Sequence, residues 1–176
     1  MRKMRLEEWG KFVGDSKWVW VSVAQQKIRL MERDRVVWEA PCSTAVKGVG
    51  EKINSEQTPR GWHVIVEKIG ENAPVGQIFR GRKPAGIWDK SVDTDENLIL
   101  TRILRLAGLE EGINKGVDSD GEIVDTYQRY IYIHGTNKEN EIGKPNSKGC
   151  VCLTNKDVIY LFNNVEEGTK VLITED

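Results

Sequence analysis

A mainly β domain is the fold class this sequence predicts: a sandwich or barrel-like sheet with one or two helices on its flank. Three observations carry it. Short apolar runs rich in Val, Ile and Trp recur along the chain, at 18–23, 27–31, 36–40, 62–66, 130–133 and 171–174; β-branched and aromatic side chains suit a pleated surface. Polar or glycine-bearing turns separate these runs, as in all-β folds. The 176 residues show no internal repeat and no linker, which fits one domain over 17–176 preceded by an N-terminal arm or short helix at 1–16.

The elements follow in order. Residues 1–16 are polar with scattered apolar positions, hence the arm. Trp18, Trp20 and Ser22 alternate with Val19, Val21 and Val23, a strand with both faces covered. Lys27 to Met31 and Val36 to Ala40 form strands around the polar turn Glu32-Arg33-Asp34-Arg35. A polar loop from Lys47 to Glu56 leads to Thr58-Pro59-Arg60-Gly61, and Trp62 to Val66 is a strongly β-branched strand. Gly70 to Asp89 holds four Gly and two Pro and is expected to be mostly loop. From Asn97 to Leu106 the apolar residues fall at helical spacing, and Gly108 supplies a stop, so a helix is expected there. Glu110 to Gly121 reads as loop and Tyr130 to Ile133 as a strand. Asn155 is placed to cap a helix running to about Asn163, before a last strand from Val171 to Thr174.

Composition excludes several classes. A 39% apolar share with six Trp is that of a globular chain, not a disordered one. A net charge of −1 supplies no bulk attraction for nucleic acid, so no such partner is expected. No apolar stretch is long enough to span a bilayer. Met1 to Glu8 starts basic but lacks the apolar core of a signal peptide. Three cysteines do not make a disulfide framework. One Cys-x-Cys with a distant His is thin support for a metal, and none is expected.

The chemistry concentrates in two short segments. His134-Gly135-Thr136 ends an apolar strand, and Ser147-Lys148-Gly149-Cys150-Val151-Cys152 follows, with Cys150 sixteen positions after His134. A cysteine attacks as its thiolate, which a histidine in hydrogen-bond reach can generate. Gly149 permits a tight turn whose N–H groups converge on one point. Lys148 adds positive charge that would favour the thiolate. The competing readings are a structural histidine at a strand end and a cysteine buried as a small hydrophobe. Cys152 shares the side of Cys150 in an extended segment and is expected to be packed. His63 and Cys42 read as core residues.

The run Tyr130-Ile131-Tyr132-Ile133-His134-Gly135-Thr136, then Ile142-Gly143, Pro145, Ser147 and Gly149-Cys150-Val151, resembles the L,D-transpeptidase catalytic domain of YkuD type. Thr58-Pro59-Arg60-Gly61, Pro41-Cys42-Ser43-Thr44 and the segment from Val158 to Ile173 add to the likeness, which extends from about Trp18 to the C-terminus. Two positions depart from the family pattern: Lys148 stands where the family usually has His, and Cys152 where it usually has Arg.

The resemblance implies Cys150 as nucleophile, His134 as general base and the Gly135 carbonyl as the group that orients the ring. It places an oxyanion hole at the N–H groups of Lys148, Gly149 and Cys150. Substrate-binding candidates are Tyr132 on the face of His134, Ser147 beside the nucleophile, for which fixing the loop by side-chain hydrogen bonds is the rival reading, and Arg82 in the glycine-rich loop, where a solvated loop is the rival reading for Arg80 and Arg82. No metal and no other cofactor is implied. The implied activity is that of a transferase of peptidoglycan biosynthesis, serving cell wall and cell shape. It attacks tetrapeptide stems, releases D-Ala and forms an L,D cross-link, and carbapenem-type inhibitors acylate it. An L,D-carboxypeptidase with the same site, and a weakly active module that binds such peptides or a protein partner, stand as alternatives. A monomer is expected. The resemblance implies the periplasm or cell envelope, whereas the absence of a visible signal peptide is compatible with the cytoplasm if Met1 is the native start.

Overall fold

A computed structural model describes Glu8, Val13, Gly14 and residues 16–176. The arm expected over 1–16 lies almost wholly outside the described residues.

Ten strands and one α-helix are found among the described residues. They are β1 (Lys17–Ser22), β2 (Lys27–Glu32), β3 (Arg35–Pro41), β4 (Gly61–Ile69), β5 (Gln77–Arg80), β6 (Lys83–Ile87), β7 (Ile99–Gly108), β8 (Tyr132–Gly135), β9 (Val151–Leu153), α1 (Asn155–Asn164) and β10 (Lys170–Thr174). A 3-10 turn, Glu139–Glu141, lies between β8 and β9. The strands form one mixed sheet in the order β3-β2-β1-β10-β4-β7-β5-β6, and β8 joins β7 to β9. The pairs β1–β10 and β8–β9 are parallel and the other pairings antiparallel. The mainly β class is therefore as expected, with one flanking helix.

Local sequence explains most elements. The left-handed Gln26 (φ 49°) and Arg33 (φ 55°) close the β1–β2 and β2–β3 turns. Thr154 caps α1 by accepting from Asp157 N–H at 3.2 Å, one residue earlier than the sequence suggests. Asn155, expected as the cap, is instead the first helical residue. Val158, Leu161 and Phe162 bury the inner face of α1 in the main core, with Val19, Ile65, Leu104, Ile133 and Val151. Each such side chain stabilises the fold by about 1.5–3 kcal/mol.

One expectation is corrected and a second is refined. Residues 97–106 do not form a helix: Ile99–Gly108 is the strand β7, paired with β4, β5 and β8. It is covered on both faces, so its apolar residues do not alternate, and a buried run of that kind imitates helical spacing. A register shift between Leu100 and Ile103 breaks the period further. The stretch Gly70 to Asp89 keeps a bare majority of loop and turn, but it also contains the hairpin β5–β6, whose turn uses the left-handed Gly81 (φ 54°) and Arg82 (φ 65°). Its glycines mark turns, not the absence of strands.

Candidate active site

The parallel pairing of β8 with β9 brings the two chemical segments together. Its register sets Ile133 beside Val151 and His134 beside Cys152. Cys150, just before β9, is therefore level with Tyr132, two residues short of His134. On the other flank of β9 runs the Cys42–Ala45 segment: Ser43 N–H donates to Cys152 O at 2.9 Å, and Cys152 N–H donates to Ser43 O at 2.8 Å.

His134 is 3% exposed. Its Nδ1–H donates to Gly135 O at 2.6 Å, which leaves Nε2 as the acceptor nitrogen. Burial pushes the imidazole down to about 4, against the hydrogen bond to Gly135 O, which raises it. The ring is thus neutral near neutral pH and free to accept a proton. Gly135 itself is tightly enclosed: a Cβ there would lie 2.6 Å from Leu100 O and also against Asn155 Oδ1. The enclosure comes from a bulge in β7 at Thr101, a β-branched residue with φ 76°, a conformation such residues rarely adopt. Thr101 Oγ1 donates to Asn155 Oδ1 at 2.6 Å and accepts Gly76 N–H at 3.0 Å. Asn155 Nδ2 donates to Thr136 O at 2.9 Å. Thr101 and Asn155 therefore brace the His134-Gly135-Thr136 segment from below. No local sequence pattern pointed to them.

Gly149 has φ +135°, and a Cβ there would meet Ile131 Cδ1 at 2.9 Å and Gln57 O at 3.3 Å. Thr58 Oγ1 donates to Gly149 O at 3.0 Å and accepts Ala45 N–H at 3.0 Å. The Thr-Pro turn thereby clips the nucleophile loop to the loop before β4. Ser147 is buried, donating to Cys150 O at 2.6 Å and accepting Gly149 N–H at 3.2 Å. Ser147 thus fixes the loop through its side chain, and the Gly149 N–H is engaged by it. Among the described residues, the Lys148 and Cys150 N–H groups donate no hydrogen bond, so they are the remaining donors for an oxyanion.

Cys150 is half-buried, against Phe79, Ile103 and Tyr132. Its Sγ accepts Tyr132 N–H at 3.3 Å and lies 3.6 Å from Tyr130 O. Burial pushes its thiol up to about 11, opposed by the Tyr132 N–H and by the Arg129 charge. The resting sulfur is therefore a thiol. The expected cation, Lys148, is exposed; the cation that bears on the sulfur is Arg129, which sequence reading missed. Cys152 is fully buried, as expected, with Sγ 3.7 Å from His134 Nε2. Desolvation raises its thiol far above the ordinary range.

The hairpin β5–β6 reaches the site through Arg82, whose Nη1 donates to Tyr132 OH at 3.1 Å and whose guanidinium lies 5.2 Å from the Tyr130 ring. Tyr130 is exposed and left-handed, φ 55°. Arg80 turns away into a pair with Glu96 at 2.7 Å, which leaves Arg82 as the hairpin's guanidinium at the site. His63 is fully buried between Gly61 O and Thr126 Oγ1, 3.0 Å from each, and Cys42 is fully buried in the core; neither approaches the site. Among the described residues, no group of three or more His, Cys, Asp or Glu could hold a metal ion. No helix there is long and apolar enough to cross a membrane.

The L,D-transpeptidase catalytic domain model (YkuD) matches residues 16–173. The YkuD protein of Bacillus licheniformis is 30% identical over 154 residues, 88% of this chain and 63% of that protein. ErfK/SrfK of Escherichia coli is 30% identical over 146 residues, 80% of this chain and 41% of that protein. YqjB of Bacillus subtilis is 44% identical over 61 residues, 35% of this chain and 32% of that protein. All three are named provisionally as L,D-transpeptidases, and the chain spans less than two thirds of each. Among solved structures, an L,D-transpeptidase from Mycobacterium smegmatis has a TM-score of 0.54 at 14% identity, covering 92% of this chain and 59% of that one. L,D-transpeptidase 3 from Mycobacterium tuberculosis, in complex with a faropenem-derived adduct, has a TM-score of 0.54 at 16% identity, covering 92% of this chain and 61% of that one. At these identities the likeness is one of fold.

Proposed function

Because the chain belongs to the L,D-transpeptidase catalytic domain family, we propose that it is a cysteine acyltransferase acting on peptidoglycan tetrapeptide stems, with residues 17–176 as its catalytic unit. The observation that carries this reading is the locked ring of His134. With Nδ1–H held on Gly135 O, Nε2 is the one basic nitrogen available beside the strand that follows Cys150.

Cys150 Sγ attacks the carbonyl between meso-diaminopimelate and the terminal D-Ala. Its proton passes to His134 Nε2, a C–S bond forms, and the carbonyl oxygen gathers negative charge. The N–H groups of Lys148 and Cys150 meet that charge. The C–N bond then breaks, His134 returns the proton to the leaving amine, and D-Ala departs from a thioester. An amine of a second stem resolves the thioester and gives the L,D cross-link. Arg82, beside Tyr132 OH and the Tyr130 ring, supplies a guanidinium for a substrate carboxylate. No step needs a cofactor.

Two features favour a second reading, a weakly active peptide-binding module. Burial pushes the Cys150 thiol up, and Cys152 Sγ stands at the base nitrogen. Water in place of the second amine would make the same site an L,D-carboxypeptidase.

Incubation with a carbapenem, read by intact mass, tests the proposal; the parent protein is expected to gain one acyl adduct. Cys150→Ser is expected to lose both the adduct and D-Ala release while melting like the parent, because an alcohol is far less acidic than a thiol. His134→Ala should slow acylation by roughly 10²–10⁴-fold. A serine variant that still turns over within a few-fold of the parent would remove Cys150 from the mechanism.

A further inference from the structure

Arg129, in the connection between β7 and β8, reaches the nucleophile loop beside Gly149. Its Nη1 donates to Gly50 O at 3.2 Å, and its Nη2 to Ser55 Oγ at 3.2 Å and Gln57 O at 2.5 Å. All three acceptors are neutral. The nearest acid in charge terms is Glu51, whose two oxygens are held by Arg60 at 2.9 and 3.3 Å. Meanwhile Nη2 lies 3.9 Å from the position a Cβ would occupy on Gly149, the residue preceding Cys150. Gln57 O lies 3.3 Å from that same position, and the next residue, Thr58, holds Gly149 O. The guanidinium is thus built into the wall of the nucleophile loop, and no carboxylate there takes its charge in a hydrogen bond.

We infer that Arg129 is a positioning residue of the reaction, the fixed positive charge that favours the ionised sulfur of Cys150. A half-buried guanidinium keeps its proton at any working pH, and an opposite charge a few ångströms away stabilises a thiolate. Its effect runs against the desolvation of the same sulfur, and the charge of Cys150 in turn favours the protonated Arg129. The position Cys152 holds brings a neutral thiol; the cation enters from the loop before β8 instead. The other groups around the sulfur are Tyr132 N–H, Tyr130 O and Cys152, which itself stands against His134 Nε2, while Arg82 bonds the Tyr132 hydroxyl. Lys148 in the same loop is exposed. Among these, Arg129 is the permanent charge set into the wall of the loop.

The inference rests on Cys150 as the nucleophile, and its test reads the thiol without any peptide substrate. Cys150 is alkylated with iodoacetamide from neutral to strongly alkaline pH, and the modified peptide is quantified by mass spectrometry. Arg129→Gln is expected to raise the pH midpoint by roughly one unit, and Arg129→Lys to keep most of the parent value. Ser55→Ala, which removes one brace contact and no charge, should leave the midpoint where it was. Thermal melts accompany each variant, and Arg129→Met, which keeps the apolar stem, replaces the Gln variant if that one does not fold. An unchanged midpoint in the neutral variants overturns the inference. So does a shift in Ser55→Ala or Arg129→Lys as large as that in Arg129→Gln, since the residue would then be only a brace. A shifted midpoint in a protein that never releases D-Ala leaves Arg129 its role and sinks the transpeptidase reading.

Discussion

A methyl group on Gly135 would lie 2.6 Å from Leu100 O and press on Asn155 as well, so the residue beside the base is restricted by space alone. Gly135→Ala is expected to cost about 1–3 kcal/mol in urea unfolding, because strand β7 or α1 must shift to admit the carbon. It should also slow carbapenem acylation, since the Gly135 carbonyl that holds the His134 ring shifts with them. Stability equal to the parent would show that the β7 bulge yields freely. At this scale the sequence exposed Cys150, His134 and Gly135, since each sits in a short motif with its own chemistry. It did not expose Arg129, Thr101 or Asn155. Arg129 reaches acceptors more than seventy residues away, Gly50 O and Gln57 O, and Thr101 meets Asn155 across fifty-four. No local pattern encodes such meetings. Lys148 shows the reverse error: adjacency in sequence suggested a cation at the sulfur, and the fold turned that side chain to solvent.

Strand β9 is three residues long, too short to define itself, and it is held by its flanks: β8 on one side and Ser43 on the other. The loop before it depends on Thr58, whose hydroxyl serves Gly149 O and Ala45 N–H together. Thr58→Val keeps the shape and removes both bonds. Two buried backbone groups lose a partner, so stability should fall by about 1–3 kcal/mol. The acylation rate should fall further than occupancy of the folded state explains, because the loop that aims Cys150 is released. A rate that tracks the folded fraction alone would show that Thr58 serves stability only. The other elements were legible where turn residues bound a short apolar run. Strands β1 to β4 and α1 kept their periods, within three residues at the ends. Strand β7 did not, because it is buried on both faces and broken by a bulge. The short, exposed β5–β6 hairpin had too little apolar content to be recognised.

Across the whole molecule, desolvated histidines and cysteines shape how stability depends on pH. Burial pushes His63 and His134 down to about 4 from an ordinary value of 6.5. Between those values the unfolded chain binds more protons than the folded one, so stability rises with pH there and is complete above about 6.5. Burial pushes Cys42 up to about 12 and Cys150 up to about 11 from an ordinary 9.0. Above 9 the folded chain retains protons that the unfolded chain releases, so stability falls as pH climbs. The expected profile is a plateau between about 6.5 and 9 with a slope on each side. Each histidine contributes at most about 1.4 kcal/mol per pH unit to the acid slope. His63 separates this effect from catalysis, because it is fully buried between Gly61 O and Thr126 Oγ1 and does not touch the site. His63→Gln, which still offers a donor and an acceptor, should flatten the acid slope by about half while carbapenem acylation at neutral pH stays near the parent rate. Urea midpoints across the pH range measure it. An acid slope as steep in the variant as in the parent would mean that His63 keeps an ordinary affinity for protons, and that the cost of acid falls on His134 and the carboxylates alone.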